Sequence, residues 1–548
     1  MSCFKLFLPI VLLVPLHSWS TPLKGHHMMV ATPTPLSAQV AEELIRKKGN
    51  VVDVAVGIAL TLAVTNPRHA ALGGGGFAMV KMGTDPVRAL DFRETAPAKM
   101  GKNYYVGKAK DASRNGPHGV GVPGLPAGLW ALHKKYGKLH WSLLFDTPIR
   151  LAQKGHPISG ENAERLSRVK NDLNSFGKKY FLKKGKDLYK PGENIQQKEL
   201  AKALKLMRNR GIVPFYEGPI GYDIVKTVQD AGGVLSREDL KVYKVRWLDP
   251  ITTTFKGYKL HLMPPPSSGG LMIASSLKMI EHLKLDKLSP LSTLEFHYLA
   301  EIMKINFQKR GTLGDPDFVN NPVQDFMDTQ VARKWVSKLK PNELLKLNAL
   351  KEPGPESNET THFTVLDAQG NGVAMTITLN GVFGSKVVSE KYGVALNNEL
   401  DDFTTRPGEA NLFGLVQGDA NYIEPGKRPL SSMAPTLVEK NKKIVLGLGA
   451  PGGPRIITAV LQTLYRHLAQ DFNIEEAIYA PRVHHQFIPD ILYIDEKRLP
   501  PISIEALETI GHKVEVGWAA RVNAVRLNDQ GILEAAFDYR SEGGAGGH

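Results

Sequence analysis

The stretch from residue 361 to residue 380, THFTVLDAQGNGVAMTITLN, constrains the fold of this 548-residue chain more than any other. β-Branched residues are frequent over 361–367 and again over 373–380, which is typical of two strands. The segment between them, AQGN, contains Gly370 and Asn371, which tolerate the positive φ angles that tight turns require. The stretch therefore predicts a β-hairpin.

The register of this hairpin decides which residues lie beside Thr360, directly before the first strand. If Asp367 faces Gly372, then Thr360 lies opposite Leu379 on the partner strand. Facing residues of an antiparallel pair lie about 5 Å apart, and diagonal ones about 7–8 Å. Two further residues are thereby predicted to be neighbours of Thr360: Thr378 and Asn380.

A threonine hydroxyl becomes a useful nucleophile only when a base is near it, and the sequence allows two interpretations of Thr360. Cleavage of the Glu359–Thr360 bond would free an α-amine with a pKa of about 7.7–8, suited to accepting the hydroxyl proton near neutral pH. The alternative is that Thr360 and Thr361 are ordinary β-branched strand residues. His362 is a poor candidate for the base, because a strand residue at this place can point into the core.

The amino-terminal residues 1–20, MSCFKLFLPIVLLVPLHSWS, have the pattern of a secretory signal peptide. One lysine precedes an apolar run from Leu6 to Leu16, and small residues follow, with cleavage predicted near Ser20. The run is much shorter than the roughly 20 residues of a membrane-spanning helix. The sequence therefore predicts an exported protein, periplasmic or secreted, with no stable membrane insertion.

The composition argues against several classes of function. The only cysteine, Cys3, lies within the signal segment, so the mature chain has no disulfide and no cysteine nucleophile. Much of the net charge of +15 lies between Lys170 and Arg210, and we interpret it as a solvated helical surface because no nucleic-acid-binding motif accompanies it. His484 and His485 lack partners at the spacing of zinc ligands. We expect no metal, no cofactor and no nucleic-acid partner.

The rest of the pattern mixes helices and strands, and its length allows two domains or one large layered domain. Helices are predicted within 36–64, interrupted at Gly49–Asn50, and over 455–469, while one strand is predicted to end at Arg93. The polar segment 340–359 is predicted to be an exposed connection. Besides the hairpin, strands beyond residue 360 are predicted at 393–397, 435–439 and 443–449.

The glycine-rich segment 447–453, GLGAPGG, lies between a predicted strand and a predicted helix. Its spacing GxGxxG matches a dinucleotide-binding loop, but prolines stiffen the turn and no second parallel strand is predicted after the helix. A different use fits better, in which the backbone N–H groups of Gly452 and Gly453 stabilise a developing oxyanion. Each such donor contributes about 3 kcal/mol to transition-state stabilisation.

Six long motifs, in this order along the chain, resemble those of the γ-glutamyltranspeptidases, also called glutathione hydrolases, of the N-terminal-nucleophile superfamily. They are LDFRETAPAKM, MPPPSSGG, TTHFTVLDAQGNGVAMTITLNGVFG, LNNELDDF, GDANYIEPGKRPLSSMAPT and GAPGGPRIITAVLQ. The resemblance covers nearly all of the mature chain and implies a precursor that cleaves itself into a large subunit, 21–359, and a small subunit, 360–548. It also implies an α+β fold, a four-layer αββα sandwich that the two subunits share.

The resemblance implies roles for individual residues. Thr360 matches the nucleophile and, with Glu359, the cleavage site. Thr378 matches the hydroxyl partner of the new terminal amine, and Gly452 and Gly453 match the oxyanion-hole glycines. The residues that match those gripping the donor's α-carboxylate are Arg93, Ser431 and Ser432. The residues that match those around the donor's α-ammonium are Asn380, Glu399 and Asp402.

Two positions depart from the pattern of some relatives. Position 399 is Glu where some bacterial relatives have Gln, a change that keeps ammonium binding and adds a negative charge. Phe413 lies in a loop that resembles the active-site lid, where relatives often have Tyr. A lid contact made by that hydroxyl would be lost here, which bears on lid closure and donor selectivity.

The resemblance implies an enzyme that cleaves the γ-glutamyl bond of glutathione and related γ-glutamyl amides through an ester on Thr360. The acyl group passes to water or to amino acid or dipeptide acceptors. Related alternatives are a cephalosporin-type acylase, which a clamp for a free α-carboxylate disfavours, and a poly-γ-glutamate hydrolase. A different class is an unprocessed glutamate-binding protein of the same fold.

Overall fold

The computed structural model describes residues 22–347, 359–495 and 498–548. The predicted signal segment 1–20 lies outside these residues, and so do positions 348–358 of the predicted exposed connection. The described helices are α1 (Pro35–Arg46), α2 (Val51–Thr65), α3 (Leu125–Tyr136), α4 (Asp146–Lys154), α5 (Gly160–Val169), α6 (Ser175–Phe181), α7 (Lys198–Arg210), α8 (Val213–Tyr216), α9 (Pro219–Asp230), α10 (Arg237–Val242), α11 (Gly269–Leu283), α12 (Thr293–Arg310), α13 (Val323–Met327), α14 (Thr329–Val336), α15 (Arg455–Ala469), α16 (Ile474–Tyr479) and α17 (Pro501–Ile510).

One large sheet, which we call sheet I, contains the predicted hairpin at its centre. Its antiparallel strands are, in spatial order, β19 (Gly544–Gly547), β2 (Met28–Thr32), β10 (Thr361–Asp367), β11 (Gly372–Thr378), β3 (Gly75–Lys81), β4 (Arg88–Phe92) and β7 (Arg246–Leu248). Strand β4 ends directly before Arg93, as the sequence predicts.

The second large sheet, sheet II, packs against sheet I. Its antiparallel strands are, in spatial order, β1 (Leu23–Gly25), β18 (Leu533–Phe537), β17 (Asn523–Leu527), β13 (Lys443–Gly449), β12 (Thr436–Lys440), β9 (Tyr258–Leu262) and β8 (Ile251–Phe255). Two small sheets complete the described strands: β14 (Val483–His484), β15 (Leu492–Asp495) and β16 (Val514–Gly517), and β5 (His156–Pro157) with β6 (Asn194–Ile195).

Alternate side chains of the hairpin enter two different cores. Leu366 packs in the core between the sheets with Leu437 and Leu448 of sheet II, whereas Val365 packs in the core beneath helix α2. Helices α11 and α15 cover the outer face of sheet II. The predicted α+β fold, a four-layer αββα sandwich, is confirmed.

Helix α2 shows why the outer face of sheet I is tightly covered. The side-chain oxygen of Asn50 accepts the N–H groups of Val52 and Asp53, and the Asp53 carboxylate accepts the Asn50 N–H at 2.9 Å. This capping box begins the helix where the sequence predicts an interruption. All residues of α2 are buried, since a helix that is apolar on every side is stable only between layers.

The hairpin is confirmed, but its predicted register is wrong by one residue. Leu366, not Asp367, faces Gly372, and Thr361 faces Ile377. The cause is Asp367, whose N–H donates to the Asn371 carbonyl at 3.0 Å and whose carboxylate accepts N–H groups of the loop. Of the two turn residues predicted to tolerate positive φ, Gly370 has it, at +85°.

One other prediction needs correction. Residues 393–397 form only isolated bridges, with Gly73 and Val388, and not a strand, because single bridges do not make a ladder. Strand β13, before the glycine-rich segment, is antiparallel to both of its neighbours. The dinucleotide-binding pattern is therefore not part of a parallel βαβ unit. The predicted strands 435–439 and 443–449 and the helix 455–469 are confirmed within one residue.

Both large sheets mix strands from before and after position 360. In sheet I, β10 and β11 lie between β2 and β3, and in sheet II, β12 lies beside β9. The two sides of position 360 are therefore halves of one sandwich and not two domains.

Within the described residues, no helix is both long and apolar enough to cross a bilayer.

A chain cut between Glu359 and Thr360 should remain one particle, because each half supplies strands to both sheets. We expect the two fragments to elute together in size-exclusion chromatography under native conditions and to separate in concentrated guanidinium chloride. Elution of two separate folded fragments without denaturant would contradict the shared sandwich.

Candidate active site

One cavity at the end of the hairpin brings together ten of the twelve residues predicted for the site. These are Arg93, Thr360, Thr378, Asn380, Glu399, Asp402, Phe413, Ser431, Ser432 and Gly453. The remaining two, Gly452 and Glu359, adjoin lining residues but do not line the cavity themselves. Residues more than 300 positions apart in the chain thus meet at one place.

Thr360 lies directly before β10 and is almost fully buried. Its Oγ1 contacts the carbonyl oxygen of Glu359 and lies 3.5 Å from the Oγ1 of Thr378. The Thr378 hydroxyl accepts the N–H of Asn380 at 2.8 Å, which orients it. The corrected register places Thr360 across from Thr378, closer than the diagonal placement that the sequence predicts.

His362 is a core residue and not a base for Thr360. Its Nδ1 lies 2.8 Å from the Thr376 hydroxyl and its Nε2 lies 3.0 Å from the Thr364 hydroxyl, so both ring nitrogens have partners. Burial lowers the pKa of His362 to about 3. The imidazole therefore stays neutral and pointed into the protein, as the sequence predicts.

A buried cluster of charges forms one wall of the cavity. Arg93 is almost fully buried, its Nη2 lies 2.6 Å from Asp402, and its Nη1 contacts Glu399. Burial raises the pKa of Glu399 to about 8, although Arg93 opposes that shift; Asp402 adds to it. The predicted carboxylate clamp and ammonium clamp are therefore one cluster, in which Arg93 already binds both acids.

Glu94 belongs to the same cluster, and sequence reasoning missed it. Both of its carboxyl oxygens are buried without a hydrogen-bond partner. Burial raises the pKa of Glu94 well above its usual range, and the nearby Glu399 adds to the shift. Its position beside Arg93 in the motif FRETAP was the available signal.

Ser431 and Ser432 are held in place by groups from two distant segments. The Ser268 hydroxyl, in the motif MPPPSSGG, donates to the Ser431 carbonyl at 2.8 Å. Arg310 at the end of α12 donates to Ser432 Oγ at 3.3 Å, to Ser268 Oγ at 3.1 Å and to Gln417 at 3.0 Å. Burial lowers the pKa of Arg310 to about 10. Sequence analysis missed this second buried arginine because a basic residue ending a helix is usually exposed.

The glycine pair lies at the start of α15. Gly453 lines the cavity with a φ of +54°, and a Cβ there would lie 2.5 Å from the ring of Phe413. Gly452 has a φ of +129°, and a Cβ there would lie 2.8 Å from the ring of Trp518. Both positions combine a left-handed backbone with close neighbours, which only glycine accommodates.

Phe413, the residue predicted to belong to a lid, lines the cavity. Its N–H donates to Asn411 at 3.0 Å, and Asn411 in turn donates to Asp402 at 3.0 Å. Gln486 donates to the Phe413 carbonyl at 3.3 Å. Backbone and amide contacts therefore connect the loop of Phe413 to the charge cluster without a tyrosine hydroxyl.

The histidine pair after α16 has structural partners. His484 lies 2.9 Å from the Thr458 hydroxyl and 3.0 Å from Gln486, and His485 lies 3.1 Å from Asp490. In the described ranges, no group of three or more His, Cys, Asp or Glu side chains is arranged to hold a metal ion.

Comparisons with known proteins agree with this geometry. The family model described as gamma-glutamyltranspeptidase matches residues 37–548. A glutathione hydrolase proenzyme of Escherichia coli (strain K12) is 37% identical over 95% of this chain and 91% of its own length. A protein of the same name from Pseudomonas aeruginosa is 39% identical over 94% of this chain and 93% of its own length.

Two solved structures extend the comparison. Helicobacter pylori gamma-glutamyltranspeptidase is 35% identical over 60% of this chain and 94% of its own, with a TM-score of 0.56. A cephalosporin acylase from Bacillus halodurans matches 99% of this chain and 100% of its own with a TM-score of 0.85, but at 23% identity it shows the shared fold alone. The family match over nearly the whole chain, together with relatives this similar over most of their length, shows that the chain belongs to the gamma-glutamyltranspeptidase family.

Proposed function

We propose that this protein is a self-processing enzyme that hydrolyses the γ-glutamyl bond of glutathione and related γ-glutamyl amides. It passes the γ-glutamyl group to water or to amino acid or dipeptide acceptors. The observation that carries the proposal is the presence, in one buried cavity, of the Thr360 hydroxyl and the Arg93–Glu399–Asp402 cluster. The first is a nucleophile, and the second suits a head group that carries both charges.

Maturation begins at the Glu359–Thr360 bond. The Thr360 hydroxyl attacks the Glu359 carbonyl, the acyl group moves from nitrogen to oxygen, and water hydrolyses the resulting ester. This leaves a large subunit, 21–359, and a small subunit, 360–548, that form a heterodimer. The solved H. pylori chain supports this division, because 94% of it matches 60% of this chain, about the share that precedes Thr360.

Turnover uses the α-amine that cleavage frees. This amine takes the proton of the Thr360 hydroxyl while the oxygen attacks the γ-carbonyl carbon of the donor. The N–H groups of Gly452 and Gly453 stabilise the oxyanion, and the amine then protonates the leaving cysteinylglycine nitrogen. Water or an acceptor amine attacks the ester, and Thr360 is regenerated. The Thr378 hydroxyl holds the terminal amine in place.

Donor recognition follows from the charges of the cluster. Arg93 binds the donor's α-carboxylate with help from Ser431 and Ser432, since a planar guanidinium suits two parallel hydrogen bonds to a carboxylate. The donor's α-ammonium lies among Asn380, Glu399 and Asp402. A zwitterionic head group adds no net charge, so the buried cluster accepts it without a new uncompensated charge.

The signal segment 1–20 would export the protein to the periplasm or the medium. The proposed reaction requires no metal, cofactor or nucleic acid. A cephalosporin-type acylase is disfavoured, because the cluster suits a free amino-acid head group. The lid residue Phe413 would enclose the donor by packing on Gly453.

Replacing the nucleophile should stop both reactions. Thr360→Ala is expected to accumulate as one uncut, inactive chain, whereas Thr360→Ser keeps a hydroxyl and should still be cut. Intact mass and amino-terminal sequencing of the unaltered protein should give two chains, the smaller beginning Thr-Thr-His-Phe. Cleavage of the Thr360→Ala protein at the same bond would overturn the assignment.

Donor binding should depend on the ionisation of Glu399. Burial raises the pKa of Glu399 to about 8; Arg93 opposes this shift and Asp402 adds to it. The negative charge of Glu399 therefore appears as the pH rises through that value. Binding of glutamate, measured by calorimetry between about pH 6.5 and pH 9, should tighten with pH in the processed enzyme and stay level in Glu399→Gln. The same pH dependence in both proteins would assign the titration to another group.

Arg310 should matter for catalysis although it was not predicted to be part of the site. Arg310→Leu removes the donor to Ser432, and a misplaced carboxylate clamp is expected to lower kcat/KM for a γ-glutamyl anilide about 100-fold. Arg46→Leu, at an exposed arginine, is the matched control. An unchanged kcat/KM in Arg310→Leu would show that Ser432 needs no support.

A further inference from the structure

The residue before the predicted cut, Glu359, is buried to an extent that is unusual for a glutamate, with 1% of its surface exposed. Its Oε2 lies 2.5 Å from Nδ1 of His69, and its Oε1 lies 3.7 Å from Nη1 of Arg165. A buried carboxylate is stable only when opposite charges or donors surround it. The Glu359 carboxylate therefore lies in a buried pocket beside His69 and Arg165, as ion pairs in which neither of its oxygens meets hydrogen-bond geometry.

The pocket is held together by its own set of contacts. Arg68, next to His69, lies 2.6 Å from Glu161 of helix α5, the helix that also carries Arg165. Asn162 of the same helix donates to the Thr65 carbonyl at the end of α2 at 2.9 Å. The loop that carries His69 and the helix that carries Arg165 are thus fixed to each other.

The charges favour an ionised Glu359. Burial alone would raise the pKa of Glu359, but His69, Arg165 and Arg68 outweigh it and lower that pKa. Burial lowers the pKa of His69 against the pull of Glu359. The arginines stay charged in either case, so the carboxylate keeps a cationic partner even when His69 is neutral.

Both sides of the scissile peptide are therefore held. On one side, the Glu359 side chain is anchored in the pocket, and on the other side Thr361 is paired with Ile377 in the sheet. Between them, the Thr360 hydroxyl contacts the carbonyl oxygen of Glu359, next to the carbon that it attacks in the proposed cleavage. Neither His69 nor Arg165 lines the donor cavity.

We propose that His69 and Arg165 form a pocket for the Glu359 side chain that positions the Glu359–Thr360 peptide for self-cleavage. This inference rests on the proposed self-processing and assigns both as positioning residues for maturation. Because they lie outside the donor cavity, they affect the rate of cleavage and not the turnover of the processed enzyme.

The test is the rate at which purified precursor is converted into two subunits, followed by gel and intact mass. Glu359→Ala, His69→Ala and Arg165→Ala should each be cleaved about 10- to 100-fold more slowly, since a displacement of about 1 Å costs a similar factor. Once processed, His69→Ala and Arg165→Ala should show the kcat/KM of the unaltered enzyme. His261→Ala is the matched control, since His261 is also buried and lies 2.9 Å from Glu439 in sheet II.

A double variant separates positioning from a general loss of stability. If His69 acts through Glu359, the variant His69→Ala/Glu359→Ala should be cleaved no more slowly than the slower single variant. Multiplied effects of the two substitutions would overturn the proposal, and so would cleavage of His69→Ala at the unaltered rate. The unfolding midpoint of each precursor, compared with that of Thr360→Ala, identifies a variant that is slow because it is misfolded.

Glu359→Gln provides a second variant that keeps the size of the side chain and loses its charge. Its cleavage rate is expected to lie between those of Glu359→Ala and the unaltered protein, and equality with the unaltered protein would contradict the role of the charge. The two proposals fail separately. Cleavage of Thr360→Ala would overturn self-processing, whereas an uncut Thr360→Ala with normal cleavage of His69→Ala and Arg165→Ala would overturn the pocket alone.

Discussion

The antiparallel pairing of β10 with β11 at the centre of sheet I is the constraint on which the rest of the structure depends. It places Thr360 at a strand end, across from Thr378, inside a sandwich whose other strands come from both sides of the cut. A strand at the centre of a sheet is hydrogen-bonded on both edges and so has little freedom. A terminus created there by the proposed cleavage would stay beside Thr378.

The charge cluster shows how the site tolerates so many buried ionisable groups. Arg93 binds Glu399 and Asp402, while Glu94 lies nearby without a hydrogen-bond partner and with a raised pKa. A partly protonated set of acids around one arginine costs less than a set of isolated charges. In the proposed donor complex, a zwitterionic head group would exchange contacts within this set rather than add charge to it. Burial and recognition thus have the same physical basis.

A second set of buried charged residues lies on the other side of Thr360. The pocket of His69 and Arg165 holds the acid that precedes the cut, and the cluster around Arg93 would hold the donor's head group. The two sets share no residue among those described, so the proposed maturation and turnover would depend on different side chains that meet only at Thr360. Substitutions can therefore affect one reaction without the other.

The predictions that rest on local sequence preferences agree with the structure, whereas two that depend on pairing between segments do not. The hairpin, the interruption before α2 and the helix after the glycine-rich segment depend on local preferences, and all three are confirmed. The predicted register is wrong by one residue because the side chain of Asp367 accepts N–H groups of the loop backbone. The strand predicted at 393–397 failed because a strand needs consecutive pairing, and this segment makes only isolated bridges with Gly73 and Val388.

The sequence by itself determined the elements, the family resemblance and most of the residues that line the cavity, because long motifs and periodic patterns are local properties of the chain. Only the tertiary structure decided that Arg93 already binds Glu399 and Asp402, that Arg310 supports Ser432, and that His69 contacts Glu359. These pairs join residues 122 to 309 positions apart. No local pattern encodes such a meeting, since it arises from the packing of two sheets and their helices.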